Sequence, residues 1–180
     1  MPKYTMEMVL EYAKVFPENA DMGDPNGPRA AQAIHDKGGQ YAVNAYFTSE
    51  DQIQQLLGDG LDPQPMNNDR IKEGREEFGI GKFMGLKRPV PDNIKIFENK
   101  GSTTEVNYGG APGVVDLRDP ENKRWWSLEN DGPLGNGTRA MVQFETYSNG
   151  AGVRLKNIGV LELVEYEIRE DSDDELFKVA

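Results

Sequence analysis

Three stretches of this chain interleave cations with aromatic rings. KFMGLKR (82–88) offers Lys82, Phe83, Lys87 and Arg88, and LRDPENKRWW (117–126) offers Arg118, Lys123, Arg124, Trp125 and Trp126. TRAMVQFETYSNGAGVRLK (138–156) adds Arg139, Tyr147, Arg154 and Lys156. Cations neutralise phosphates, and flat side chains stack on unpaired bases at roughly 1–3 kcal/mol per base, so the mixture suits a single-stranded nucleic acid. Trp125 and Trp126 are neighbours, so on a strand they point to opposite faces and at most one joins a core. Trp126 is the member of that pair placed in the candidate set. The competing reading is packing alone, because aromatics in β proteins pair across strands or fill cores more often than they bind ligands. A fourth stretch, DSDDELF (171–177), gathers Asp171, Asp173, Asp174 and Glu175 before Phe177. It reads either as a solvated end or as a short acidic peptide made to be bound.

Catalytic chemistry finds little to work with. The chain has one histidine, His35, and no cysteine, so a thiol nucleophile is excluded and a zinc site would rest mainly on carboxylates. The glycine pairs Gly79/Gly81 and Gly109/Gly110 lack the Lys-Ser/Thr of a phosphate loop. No pair of carboxylates stands in an apolar setting that would raise a pKa for acid catalysis. The expectation is a protein without catalytic residues, metal or cofactor.

Net charge is −11 over 180 residues, but unevenly spread. Residues 1–78 carry −7, residues 79–159 carry +2 and residues 160–180 carry −6, so the stretches above fall in the mildly basic middle. No long apolar run or leader pattern is present, which points to a cytoplasmic protein away from membranes. The length suits one domain, expected over 1–166, followed by an acidic tail over 167–180.

The elements that must position these residues read as strands. Glycine (20) and proline (11) punctuate the chain closely while helical periodicity is scarce. Alternation predicts strands at 38–47, 81–87, 94–98, 113–117, 138–147 and 153–167. On 138–147 it puts Ala140, Val142, Phe144 and Thr146 on one face, and Arg139, Met141, Gln143, Glu145 and Tyr147 on the other. The apolar positions of 153–167 switch parity, which predicts a bulge near Gly159 and a strand bent around a closed sheet. Ser49 with Gln52, then Ile53, Leu56, Leu57 and Gly58, predicts a short helix over 49–57. A weaker charged helix is expected over 69–78. Long polar loops, among them 17–37 with His35 and 120–137, complete a mostly β, small antiparallel barrel with one short helix.

The order of features resembles the single-stranded DNA-binding proteins of short-tailed, T-seven-like phages (podoviruses). The resemblance lies in Val114-Val115-Asp116 followed by Asn122-Lys123-Arg124, the Gly-Asn-Gly-Thr-Arg entry into AMVQFETYS, and GAGVRLKNIGVLELVEY before an acidic tail. GGQYAVNAYF and the helix after it also fall in that family's order. The resemblance implies an OB fold and non-specific binding of single-stranded DNA in phage replication and recombination. It implies contact with DNA through basic and aromatic residues of the barrel face; position on that face and charge select Lys82, Phe83, Lys87, Arg88, Arg118, Lys123, Arg124, Trp126, Arg139, Tyr147, Arg154 and Lys156. It further implies that the tail, with Phe177 as its aromatic, contacts the phage DNA polymerase and helicase-primase and competes with DNA for the basic groove. A homodimer in the cytoplasm of the infected bacterial host completes that picture. The alternatives are a phage structural or protein-docking β module that takes a basic partner and, third, a small nuclease.

Overall fold

Residues 3–14 set Tyr4, Met6, Met8 and Leu10 against Lys3, Thr5, Glu7 and Val9, and this period of two makes them a strand although Met, Leu, Glu and Lys favour helices. The computed structural model describes residues 2–91, 94–99, 102–107 and 110–166, with 94–99 and 102–107 as backbone. The tail residues Asp171, Asp173, Asp174, Glu175 and Phe177 lie outside the described residues. In chain order the elements are β1 (Lys3–Lys14), α1 (Arg29–Asp36), β2 (Gln40–Phe47), α2 (Glu50–Gly58), β3 (Ile71–Glu73), β4 (Lys82–Pro89) and β5 (Ile94–Asn99). They continue as β6 (Ser102–Asn107), β7 (Gly113–Asp116), β8 (Arg124–Trp125), α3 (Leu128–Asp131), β9 (Thr138–Tyr147) and β10 (Gly152–Glu162).

Eight strands form one sheet in the order β3-β4-β2-β1-β9-β10-β7-β8, and β5 pairs with β6 as a separate hairpin. Neighbours are antiparallel except β10 with β7. β4 also comes up against β10. The five strands β1, β2, β4, β10 and β9 therefore curl into a ring, the partly open Greek-key arrangement of an OB barrel. The protein is mostly β, as its alternation predicts. Its core is the inward set Met8, Leu10, Val43, Ala45, Phe47, Met84, Leu86, Ala140, Val142, Phe144, Leu155, Ile158 and Val160, each at most 2% exposed.

Several expectations hold in detail. On β9, Ala140, Val142, Phe144 and Thr146 are buried. α2 starts where predicted, and Gln52 Oε1 accepts from the Thr48 amide at 2.9 Å and the Ser49 amide at 3.4 Å. The parity switch in β10 comes from two register shifts against β9, one between Leu155 and Asn157 and one between Val160 and Glu162, so they flank Gly159.

Others are corrected. No helix forms over 69–78: Ile71–Glu73 joins the sheet, and Gly74 then passes so close to Tyr46 that an added Cβ would stand 2.2 Å from its hydroxyl. Side-chain packing there overrides the helical charge pattern. α2 is not the sole helix, since α1 falls within the expected loop 17–37 and α3 within 120–137. Neither α1, of eight residues, nor α3, of four, buries a residue, so neither adds to the core that the sequence pattern reports. His35 is on α1, exposed.

Candidate nucleic-acid interface

Most cations singled out in the sequence are bonded to carboxylates. Arg118 grips Asp116 with two bonds, Nε to Oδ1 at 3.0 Å and Nη2 to Oδ2 at 2.9 Å. Arg124 grips Asp131 in the same way at 3.0 and 2.8 Å, and its Nη2 lies 3.3 Å from Asp116. The Arg118 hydrogen bond does most to hold the buried Asp116 carboxyl down at about 2. Arg139 bridges Glu7 at 2.5 Å and Glu162 at 3.4 Å. Arg154 and Lys156 reach Glu145 at 3.3 and 3.7 Å, and Lys82 reaches Glu50 at 3.5 Å. Each pair cancels charge that a phosphate would need, so these residues order the surface more than they electrify it.

The aromatic rings separate just as clearly. Trp126 is 5% exposed, donates its indole N–H to the Gly132 carbonyl at 2.9 Å and carries the Arg118 guanidinium 4.9 Å from its ring. It is a core residue, and its neighbour Trp125, 75% exposed, is the indole in solvent. Tyr147 is half-buried and lies over Gly152, where a Cβ would stand 2.1 Å from the ring; Arg154 is 5.2 Å from its centre. Phe83 packs on Tyr46 at 5.0 Å, and Phe78 meets Tyr46 edge-on at 5.3 Å.

Tyr46 belongs to a polar knot on the outer side of the barrel. Buried Glu11 accepts from the Tyr46 hydroxyl at 3.1 Å and the Asn44 amide at 3.2 Å, and pairs with Arg75 Nε at 2.9 Å. Segment 74–81 thus fastens over one half of the β2–β4 face.

The other half is open and basic. Lys14 of β1 and Lys87 of β4 are both register partners of Ala42, one on each side of it. Adjacent strands are about 4.8 Å apart, so the two lysines rise about 10 Å apart over an alanine floor. Burial lowers the pKa of Lys37, which caps α1, repulsion from Lys87 lowers it further, and Asp21 offsets part of the effect. Among the described residues, none of the three forms an ion pair. Lysines held together without an ion pair, in a chain of charge −11, are arranged for an anion. OB barrels bind along this strand face.

Neither a protein-family model nor a curated protein sequence matches the chain. Among solved structures, the single-stranded DNA-binding protein from bacteriophage Enc34 is similar over 98% of this chain and 89% of its own, at 10% identity and a TM-score of 0.47.

The candidate residues from the sequence therefore fall into separate groups. Lys87 stands in the open basic cluster, with Arg88 on the same strand opposite buried Tyr41. Lys82 and Phe83 are at the far end of β4, while Tyr147, Arg154 and Lys156 line β9 and β10. Arg118, Arg124 and exposed Lys123 occupy the β7–β8 region, and Arg139 is held between Glu7 and Glu162. Lys14 and Lys37 escape the sequence reading, because they approach Lys87 only through strand register and a helix end. Their one local signal is that each is a lone lysine in an acidic stretch. Among the described residues, no group of three or more His, Cys, Asp or Glu side chains is arranged to hold a metal.

Proposed function

We propose that this protein binds single-stranded DNA without sequence specificity, through the β2–β4 face of its OB barrel. The observation that carries the reading is the convergence on that face of Lys14, Lys37 and Lys87, none of them in an ion pair among the described residues. Three ammonium groups match successive phosphates of a flexible strand, whereas a rigid duplex presents its phosphates on a fixed helix. Tyr147, Phe83, Lys123, Arg88 and the paired cations form the wider surface, on which carboxylates must yield to phosphates. The protein binds and carries out no catalysis.

In this reading the chain divides into a DNA-binding domain over 1–166 and an acidic tail over 167–180. It works in phage DNA replication and recombination in the infected bacterial host, in the manner of the podoviral proteins it resembles. The tail recruits the polymerase and helicase-primase, competes with DNA for the lysine cluster and supports a homodimer by docking on a neighbour. A chain ending at Tyr166, which keeps the whole binding domain, then binds DNA more tightly than the full chain; equal or weaker binding removes tail competition.

The direct test is fluorescence anisotropy of a labelled 30-nucleotide oligothymidine, with duplex of the same length as control. Each phosphate neutralised on a single strand contributes about −0.7 to the slope of log affinity against log salt. Three contacts give a slope of about −2, so a fourfold rise in salt weakens binding about 20-fold. Preference for duplex, or binding indifferent to salt, overturns the proposal.

A further inference from the structure

Tyr12 has a backbone conformation that bulky residues avoid. At φ 51° it lies in the left-handed region, within the register shift between Glu11 and Lys14 where β1 carries extra residues against β2. That position in a bulge ordinarily belongs to glycine, and strain of this kind persists where surrounding contacts hold it. Here the Tyr12 amide donates to Asn136 Oδ1 at 2.7 Å, and its hydroxyl accepts from Arg75 Nη2 at 3.2 Å. The strain places an aromatic ring in solvent, 58% exposed.

The ring borders a groove of about 410 Å³. Leu128, Pro133 and Leu134 give it an apolar lining, and Tyr166, also 58% exposed, lines it too. Asn136 and Asn19 face the groove, and each spends its side-chain oxygen on a backbone amide, Asn19 on that of Phe16 at 3.1 Å. Among the described residues neither side-chain NH₂ group is engaged, so what the pair can present to a ligand is two donors. Lys14 lines the groove and also belongs to the lysine cluster, so groove and phosphate path are continuous.

We infer that this groove takes one unpaired base of the bound strand, stacked on Tyr12, while the backbone runs past Lys14 towards Lys87. The two amide donors suit a base with ring carbonyl oxygens, which favours thymine over adenine. The inference rests on the single-stranded DNA reading and assigns that reading a base subsite.

Tyr12→Gly separates binding from folding, because glycine accepts the left-handed conformation without strain. The variant is expected to melt no lower than the parent, to bind oligothymidine about tenfold more weakly and to lose preference for oligothymidine over oligoadenosine. Tyr166→Ala is expected to give the same loss without touching the bulge. If the parent binds oligothymidine and both variants bind equally well, the groove is not the base subsite and the lysine reading stands. Tighter binding by Tyr12→Gly would show that the groove holds the protein's own acidic tail instead, which also overturns the inference. If the parent binds no single strand, the functional reading fails and the subsite with it.

Discussion

Replacing Lys14, Lys37 and Lys87 together with glutamine is expected to weaken oligothymidine binding about a hundredfold at 0.1 M salt. Each lost phosphate contact removes about 0.7 of a log unit for every tenfold dilution of salt below 1 M. The salt slope should collapse from about −2 towards zero, a signature that general damage does not produce. Folding is expected to survive, since the lysines make no ion pair and Lys37 already titrates low beside Lys87. The sign follows from that depression. The charged form of Lys37 is disfavoured in the folded state, so its penalty is present at neutral pH and relieved as pH rises through its folded pKa. Replacing Lys37 removes that penalty outright, and the triple variant should therefore melt at or above the parent. A variant that keeps both affinity and slope moves the DNA path to the Tyr147–Arg154 surface.

Glu11→Ala is expected to have the largest effect on stability, about 2–4 kcal/mol. Glu11 is 5% exposed and serves three donors, Tyr46, Asn44 and Arg75, so its loss leaves a small cavity and the buried Tyr46 hydroxyl without its acceptor. Arg75 loses its anchor at the same time, and with it the fastening of 74–81. For a domain of this size the melting temperature should fall roughly 6–12 °C. Glu11→Gln, which keeps an acceptor for Tyr46, should fall less. A shift of under about 2 °C for Glu11→Ala would mean that neighbouring groups or water take over all three donors.

Much of the barrel is legible in the alternation of 38–47 and 138–147, because half-buried strands write their register into every second residue. β1 carries the same signal in Tyr4, Met6, Met8 and Leu10, yet its residue types favour helix and so mask it. The interface was less accessible. Positive charge in the sequence gathers around Arg118, Lys123 and Arg124, but folding brings Asp116 and Asp131 to two of those cations. Near Lys14, acids abound in the sequence, but folding turns Glu11 towards Arg75 and away from the surface. Local composition thus overstated one patch and hid the other, because ion pairing is decided by contacts far apart in the chain. For Trp125 and Trp126, the parity of adjacent residues separates the rings without choosing the buried one; the Gly132 carbonyl, which receives the Trp126 N–H, makes that choice.

The sheet ends on β3 and β8, only three and two residues long. Edges so short give an incoming strand almost no ladder to extend. Among the described residues, the eight-stranded sheet therefore offers a neighbouring copy little edge on which to pair. On the proposed DNA-binding reading, copies side by side on a strand gain little from sheet pairing at these two edges, and any attraction between them must come from elsewhere, such as the docked tail.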